Sequence, residues 1–359
     1  MRLFSTEQVS KYHPDKVCDQ MSDAILDAYM AEDRGSRVAV ECMVKNNHVF
    51  VCGEVTSEAK IDIPEVVNCV SRGLGYGNMD VKTIISYQSP DIAGGVGLGW
   101  NESIAAGDQG IMFGYATKET MTGLPFAFDL ANRIIRTIEK DMEHNPGTTP
   151  FLGDAKTQVT VDLDMPQNMD AVKTIVISVC HRKDFPFEDL EEYVLRLLHL
   201  KGCYAPEADY IINPAGPWTL GGPLADCGLT GRKIVCDQYG GFMPVGGGAF
   251  SGKDPSKVDR TASYMAHEIA RTAIDMFPSL DWCKVQLGYA IGVKDPVSVL
   301  VENSHNLPIN EWVRRTFDLT PYGMVKYLHL LDGGFAQRAG GCHYRYPFKT
   351  DRSCTEEGK

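Results

Sequence analysis

Three glycine-rich runs, at 92–99, 215–222 and 240–252, punctuate this chain, and between them helix and strand patterns alternate. No repeat at a solenoid or propeller period accompanies them. In 359 residues, punctuation of this kind predicts two or three domains of mixed class, α/β or α+β, with several sheets. The 35 glycines follow no fixed period, which excludes a collagen-like chain. With 43% hydrophobic and 23% charged residues the chain is globular rather than wholly disordered.

Local signals place the first elements. Ser10 precedes a helix with Pro14 in its first turn and an apolar stripe of Val17, Met21, Ala24, Ile25 and Ala28. Asp15, Asp19, Asp23 and Asp27 recur every four residues on its other side. The last three are expected to form a solvated face, whereas Asp15 sits in the first turn beside His13 and Lys16. A hairpin follows, with strands alternating around Asn46-Asn47. This register sets Glu41 opposite Cys52, so that Glu41 and Glu54 share one sheet face, free to hold a cation or to meet water. Strands are expected at Thr157–Asp162, Thr174–Val179 and Lys233–Asp237, and helices at about Leu190–His199 and Pro255–Met276. Asp154 and Lys156 are expected just ahead of a strand, pointing to one side. The long polar and glycine-rich stretch 88–107 reads as a lid or binding loop.

The net charge of −12, from 47 acidic and 35 basic residues, argues against non-specific binding of nucleic acid or an anionic membrane. Local basic charges must therefore converge on something small. The N-terminus turns polar before any apolar run long enough for a leader, and the 11 scattered cysteines contain no CxxC pair. Reduced thiols and a cytoplasmic location are the expectation.

The densest chemical signal is Gly246-Gly247-Gly248-Ala249-Phe250-Ser251-Gly252-Lys253, running into Lys257, Asp259 and Arg260. Glycines bring backbone N–H groups close to an anion, Lys253, Lys257 and Arg260 supply charge, and Asp259 can hold a divalent ion. Gly247 to Lys253 nearly matches a P-loop, but Asp254 stands where a Ser or Thr hydroxyl is needed. Asp226 to Lys233 adds an acid and the adjacent Arg232 and Lys233, and His13-Pro14-Asp15-Lys16 adds a histidine, a carboxylate and a cation. Together these are the parts of a site for a polyphosphate with divalent metal.

On these residues, and on Gly53-Glu54-Val55-Thr56, Gln88-Ser89-Pro90-Asp91 and Gly107-Asp108-Gln109-Gly110-Ile111-Met112-Phe113-Gly114-Tyr115-Ala116-Thr117, the chain resembles the S-adenosylmethionine synthases from Phe4 to about Thr350. The resemblance implies attack of the methionine sulfur on C5′ of ATP, with the expelled triphosphate hydrolysed to pyrophosphate and phosphate. It implies ATP contacts from His13, Asp108, Asp154, Lys156, Trp218, Asp226, Arg232, Lys233, Ala249 and Lys253, the catalytic ones being His13, Lys156, Arg232 and Lys253. Methionine falls to Glu54, Gln88, Asp226 and Lys257. Two Mg2+ ions per site fall to Asp15 and Asp259, and K+ to Glu41.

The implied fold is α+β, with three similar βαβ-type subdomains related by pseudo-threefold symmetry: 1–91, 106–221 and 222–350, with a gating loop at 92–105 and a tail at 351–359. The implied assembly is a homodimer with sites at the subunit interface, or a dimer of two such dimers. Three departures from the family pattern stand out. Lys11-Tyr12 replaces Glu-Gly beside the phosphate site, Pro217-Trp218 replaces Arg-Phe, and the segment between Glu54 and Gln88 is short. A non-catalytic binding homologue and a P-loop kinase are the competing readings.

Overall fold

The computed structural model describes residues 1–87 and 100–350. Its strands form three sheets. In the first, β1 (Leu3–Val9), β6 (Phe151–Asp162), β7 (Val172–His181) and β8 (Asp209–Ile212) lie in the order β1-β6-β7-β8. The second runs β4-β3-β2-β9, from β2 (Arg37–Lys45), β3 (His48–Thr56), β4 (Asp80–Ser86) and the two-residue β9 (Gly228–Leu229). The third runs β11-β10-β5, from β5 (Gly110–Thr117), β10 (Trp282–Tyr289) and β11 (Ser298–Asn303).

Five long helices cover these sheets: α1 (Pro14–Glu32), α2 (Ile63–Gly73), α3 (Phe126–His144), α4 (Leu190–Leu200) and α5 (Val258–Met276). Each buries an apolar stripe on a sheet face that alternates inward and outward, the arrangement expected of half-buried strands. α3 and α4 close a core over the first sheet with Leu130, Ile134, Val159, Ile177, Val194 and Leu198. The second and third sheets share one continuous core, in which Met21, Ile25, Val40 and Val51 connect through to Tyr264, Ile269, Val285 and Leu287.

The hairpin forms in the expected register, with Glu41 opposite Cys52 and Asn46 in the left-handed conformation at the turn. Val38, Val40, Cys42 and Val44 point inward, while Glu41, Cys52 and Glu54 lie on the exposed face. Three local expectations fail. The stretch Ile234–Asp237 is a single helical turn instead of a strand, because the β-branched pair Ile234-Val235 is followed at once by contacts to buried polar partners rather than by a pairing strand. The helix expected from Pro255 begins at Val258, since Pro255 and Ser256 belong to the loop that precedes it. Asp154 and Lys156 lie inside β6, next to a register shift between Phe151 and Ala155.

The largest correction concerns the aspartates of α1. Asp19 and Asp23 are fully buried and Asp27 is partly so. Asp19 accepts from Gly231 N at 2.8 Å and from Lys16 Nζ at 2.9 Å. Asp23 accepts from Gly252 N at 2.8 Å and takes both oxygens to Arg260 Nη2, at 2.6 and 2.7 Å. Asp27 accepts from the N–H groups of Gly334 and Phe335 at 3.0 Å and of Ala336 at 2.9 Å. What local pattern presents as a solvated face is instead a row of acceptors for loops from the distant C-terminal half. Arg260 is fully buried, with Nη2 on Asp23 and its Nε and Nη1 without a hydrogen-bond partner, so it is out of reach of an anion in solvent.

Breaking a buried pair leaves a charge without compensation, at about 3–5 kcal/mol. Asp23→Ala is therefore expected to lower the chemical-denaturation free energy by about that amount, with Arg260→Met in the same background recovering part of the loss. Denaturation curves of the two variants against the wild type check this.

Candidate active site

His13 is the N-cap of α1, and its Nδ1 accepts from Asp15 N at 3.2 Å, one of the helix-start donors that lack an intrahelical partner. Pro14 at the first helical position fixes the entry angle. Asp15 is buried, and its Oδ1 accepts from Leu229 N at 2.9 Å while its Oδ2 pairs with Lys233 Nζ at 2.5 Å. Arg232 Nε lies 3.6 Å from the same carboxylate. Burial pushes the Asp15 carboxyl up, but Lys233 and the Leu229 N–H outweigh it and hold it below the ordinary carboxylate range. Burial, reinforced by Lys233 and then Lys156, pushes the His13 imidazole down to about 4, so it is neutral at pH 7.

Asp154 completes this group from β6. Its Oδ2 accepts from Gly222 N at 2.7 Å, and its Oδ1 is buried with no hydrogen-bond partner, an acceptor that a bound donor would satisfy. Burial raises its carboxyl to about 6 against the pull of Gly222 N–H. Asp226, whose Oδ1 caps Cys227 N at 2.8 Å, is felt electrostatically by both Asp154 and His13. Lys156 is half exposed and pairs with Glu7 at 2.8 Å. Trp218 sits at the end of the first sheet, its Nε1 donating to Leu220 O at 2.6 Å and its carbonyl accepting from His181 N at 2.8 Å.

A second group gathers at the start of α5. The Asp259 carboxylate lies over Gly248, where any Cβ would collide with it, and pairs with Lys253. Burial raises the Asp259 carboxyl despite Lys253, and Asp108 pushes it in the same direction. Ala249 packs against Gly231, which brings the glycine loop onto the turn that carries Arg232 and Lys233. Lys257, by contrast, is buried and paired with Asp254, so it is not a free cation as the sequence pattern suggested. Among the described residues no ion pair joins the Asp15 group to the Asp259 group. Glu41 and Glu54 lie on the exposed face of the second sheet, and Gln88 with most of the gating loop lies outside the described residues.

The altered pair Lys11-Tyr12 does not enter the site. Lys11 turns away to Glu143, its N–H donates to Glu139 Oε1 at 2.7 Å, and the Tyr12 ring is buried over Gly153. The glycine loop also fails as a P-loop, because a helical turn rather than a strand precedes it. Lys16, read from the sequence as a cation for the anion site, is instead fully buried between Asp19 and Asp237, and sequence reasoning missed Tyr76, which reaches the backbone just before His13. For Lys16 a signal was present, since a lysine at i−3 to an aspartate on one helix is a natural pair.

Among the described residues no three His, Cys, Asp or Glu side chains assemble a ready metal cage. Single carboxylates beside lysines do suit a hard divalent ion, which takes one or two carboxylates and completes its shell with phosphate oxygens and water. The residues therefore fit a metal that arrives with its substrate.

Asp154 gives a pH signature in the ligand-free protein. Its folded-state pKa of about 6 lies above the unfolded value of 3.8, so the folded state holds the extra proton between them. The stability this contributes is complete below the unfolded value and is lost as pH rises through about 6. Asp154→Asn is expected to gain melting temperature relative to wild type as pH goes from 5 to 7.5, checked by thermal melts across roughly that range.

Comparison with known proteins identifies the family. Residues 1–93, 103–218 and 220–352 match the models for the N-terminal, central and C-terminal domains of S-adenosylmethionine synthetase. An S-adenosylmethionine synthase from Syntrophobacter fumaroxidans is 41% identical over 366 aligned residues, covering 95% of this chain and 92% of the relative. One from Mycoplasmopsis synoviae is 42% identical over 344 residues, covering 92% and 88% respectively. With three successive domain matches and relatives this similar along nearly all of its length, the chain belongs to the S-adenosylmethionine synthetase family.

Proposed function

We propose that the protein is a methionine adenosyltransferase, forming S-adenosyl-L-methionine from ATP and L-methionine. The sulfur lone pair forms a bond to C5′, and the C5′–O bond breaks with its electrons leaving on the triphosphate, which is hydrolysed to pyrophosphate and phosphate. The observation that carries this reading is the convergence of His13, Lys233 and Arg232 on Asp15, with Lys253 on Asp259: cations and metal-binding carboxylates without an activated nucleophile. A thioether has no proton to remove, so the site needs alignment and stabilisation of leaving-group charge, not a base.

The residues divide the work accordingly. His13, held neutral and oriented by the α1 start, presents an uncharged ring to the triphosphate near the breaking bond. Lys156, Arg232, Lys233 and Lys253 meet the growing negative charge on phosphate oxygens. Asp154 and Trp218 take the nucleoside end, Ala249 the loop contact and Asp108 the ribose. Glu54, Gln88 and Asp226 take methionine, which Lys257 would meet only by leaving its buried partner Asp254. Asp15 and Asp259 would each hold Mg2+, and Glu41 would hold K+. When bound, the metal would supply positive charge to the phosphates.

Membership of the family supports a homodimer in which each site draws on two subunits, with a dimer of such dimers as the larger assembly. The acidic net charge supports a cytoplasmic protein without nucleic-acid partners; among the described residues no helix is long and apolar enough to cross a membrane.

Mass spectrometry of products from ATP, L-methionine, Mg2+ and K+ is expected to show S-adenosylmethionine, pyrophosphate and phosphate in equal amounts, and none without methionine. Intact ATP bound by the protein would instead make it a non-catalytic homologue. Lys253→Ala and Asp259→Ala are each expected to lower kcat at least about a hundredfold, the loss typical of one transition-state partner. Chelation of divalent metal is expected to abolish turnover.

A further inference from the structure

Two tyrosines outside the site just described tie its two ends together. Tyr76 follows α2, anchored by its N–H to Ser71 O at 3.0 Å. Its hydroxyl donates to the carbonyl of Tyr12 at 2.8 Å, the residue immediately before His13. The same hydroxyl and ring edge press on Gly222, where any Cβ would collide with them; Gly222 has φ +64° and its N–H holds Asp154. Tyr12 itself is 5% exposed, and a Cβ at Gly153 would lie 2.7 Å from its Cγ. Gly153 has φ +97° and precedes Asp154 in β6. One ring thus rests on each neighbour of the Asp154 peptide system: Tyr12 on Gly153, Tyr76 on the Gly222 turn.

We propose that Tyr76 and Tyr12 are positioning residues, a clamp that fixes the distance between His13 at the phosphate end and Asp154 at the nucleoside end of the bound ATP. This rests on the functional reading above. In-line displacement depends on that distance, because sulfur, C5′ and the leaving oxygen must be collinear, and misplacement by about 1 Å costs about a hundredfold in rate. Hydrolysis of free tripolyphosphate engages only the phosphate end and does not depend on it. In this chain the clamp occupies the place where the family pattern has a glycine before His-Pro-Asp-Lys, so Tyr12 supplies contact area that a glycine lacks.

The test compares wild type with Tyr76→Phe, which removes one hydroxyl and keeps the ring. Two steady-state rates are read: S-adenosylmethionine formation from ATP and methionine, and phosphate release from added tripolyphosphate. The expected result is a fall of about tenfold in kcat for transfer, with KM for methionine and tripolyphosphate hydrolysis changed by less than about twofold. A role confined to folding would lower both rates together with the melting temperature, and that result overturns the proposal, as does an unchanged ratio. Tyr12→Leu, which keeps an apolar filler over Gly153, reads the same ratio if Tyr76→Phe does not fold. Wild-type protein that forms no S-adenosylmethionine would sink the functional reading itself; wild-type turnover with an unaltered ratio in the variants sinks the clamp alone.

Discussion

Everything near the site hangs on the pitch of one helix. At 3.6 residues per turn, side chains four apart stack on one face, and α1 places a carboxylate at each of four successive turns. Together they reach three loops: Asp15 and Asp19 share one, through the Leu229 N–H and Lys233 and through the Gly231 N–H, while Asp23 holds the Gly252 N–H and Arg260 and Asp27 holds the Gly334 turn. Three glycine-bearing segments with little side-chain material of their own are thereby held at a spacing set by helix geometry. Only the first carboxylate faces the reacting groups, and the other three hold the surroundings in register with it.

Carboxylates suit this task better than apolar contacts would. A glycine loop offers N–H groups and almost no surface to pack, so hydrogen bonds to an ionised acceptor, about twice as strong as neutral ones, are the available means of fixing it. The cost is buried negative charge. Burial raises Asp19 and lifts Asp237 to about 7, and Lys16 between them offsets part of that cost. Asp23 is matched by Arg260 in the same way, which is why Lys16 and Arg260 serve the scaffold and not the substrate.

Much of this was legible in the sequence where the signal is local. The hairpin register followed from alternation and Asn46-Asn47, the first helix from Pro14 and its stripe, and the clustering of His13, Asp15, Arg232 and Lys233 from short motifs that together list the parts of a polyphosphate site. The misreadings share one cause. A solvated aspartate face and a face covered by loops 200 residues away have the same local pattern, and Ile234–Asp237 looks like a strand until its missing partner is known. Pairing between distant segments is decided by tertiary contacts, which leave no periodic trace. The Lys257–Asp254 pair was hidden in a different way, since a cation's partner is invisible when the motif suggests an anion for it.

The sheets carry strands across the boundaries of the three family segments in a closed cycle. The N-terminal segment gives β1 to the sheet of the central one, the central segment gives β5 to that of the C-terminal one, and the C-terminal segment gives β9 back to the first. No third of the chain can therefore complete its own sheet. As the polypeptide leaves the ribosome, β1 waits for residue 151 onward, β2 waits for its neighbour at 228, and β5 waits until 282. Assembly is thus weighted toward the end of synthesis, with unpaired strand edges exposed until then. Cutting at a segment boundary to make a smaller protein would leave one edge orphaned and one strand without a sheet, so the cycle makes the three-part chain a single indivisible folding unit.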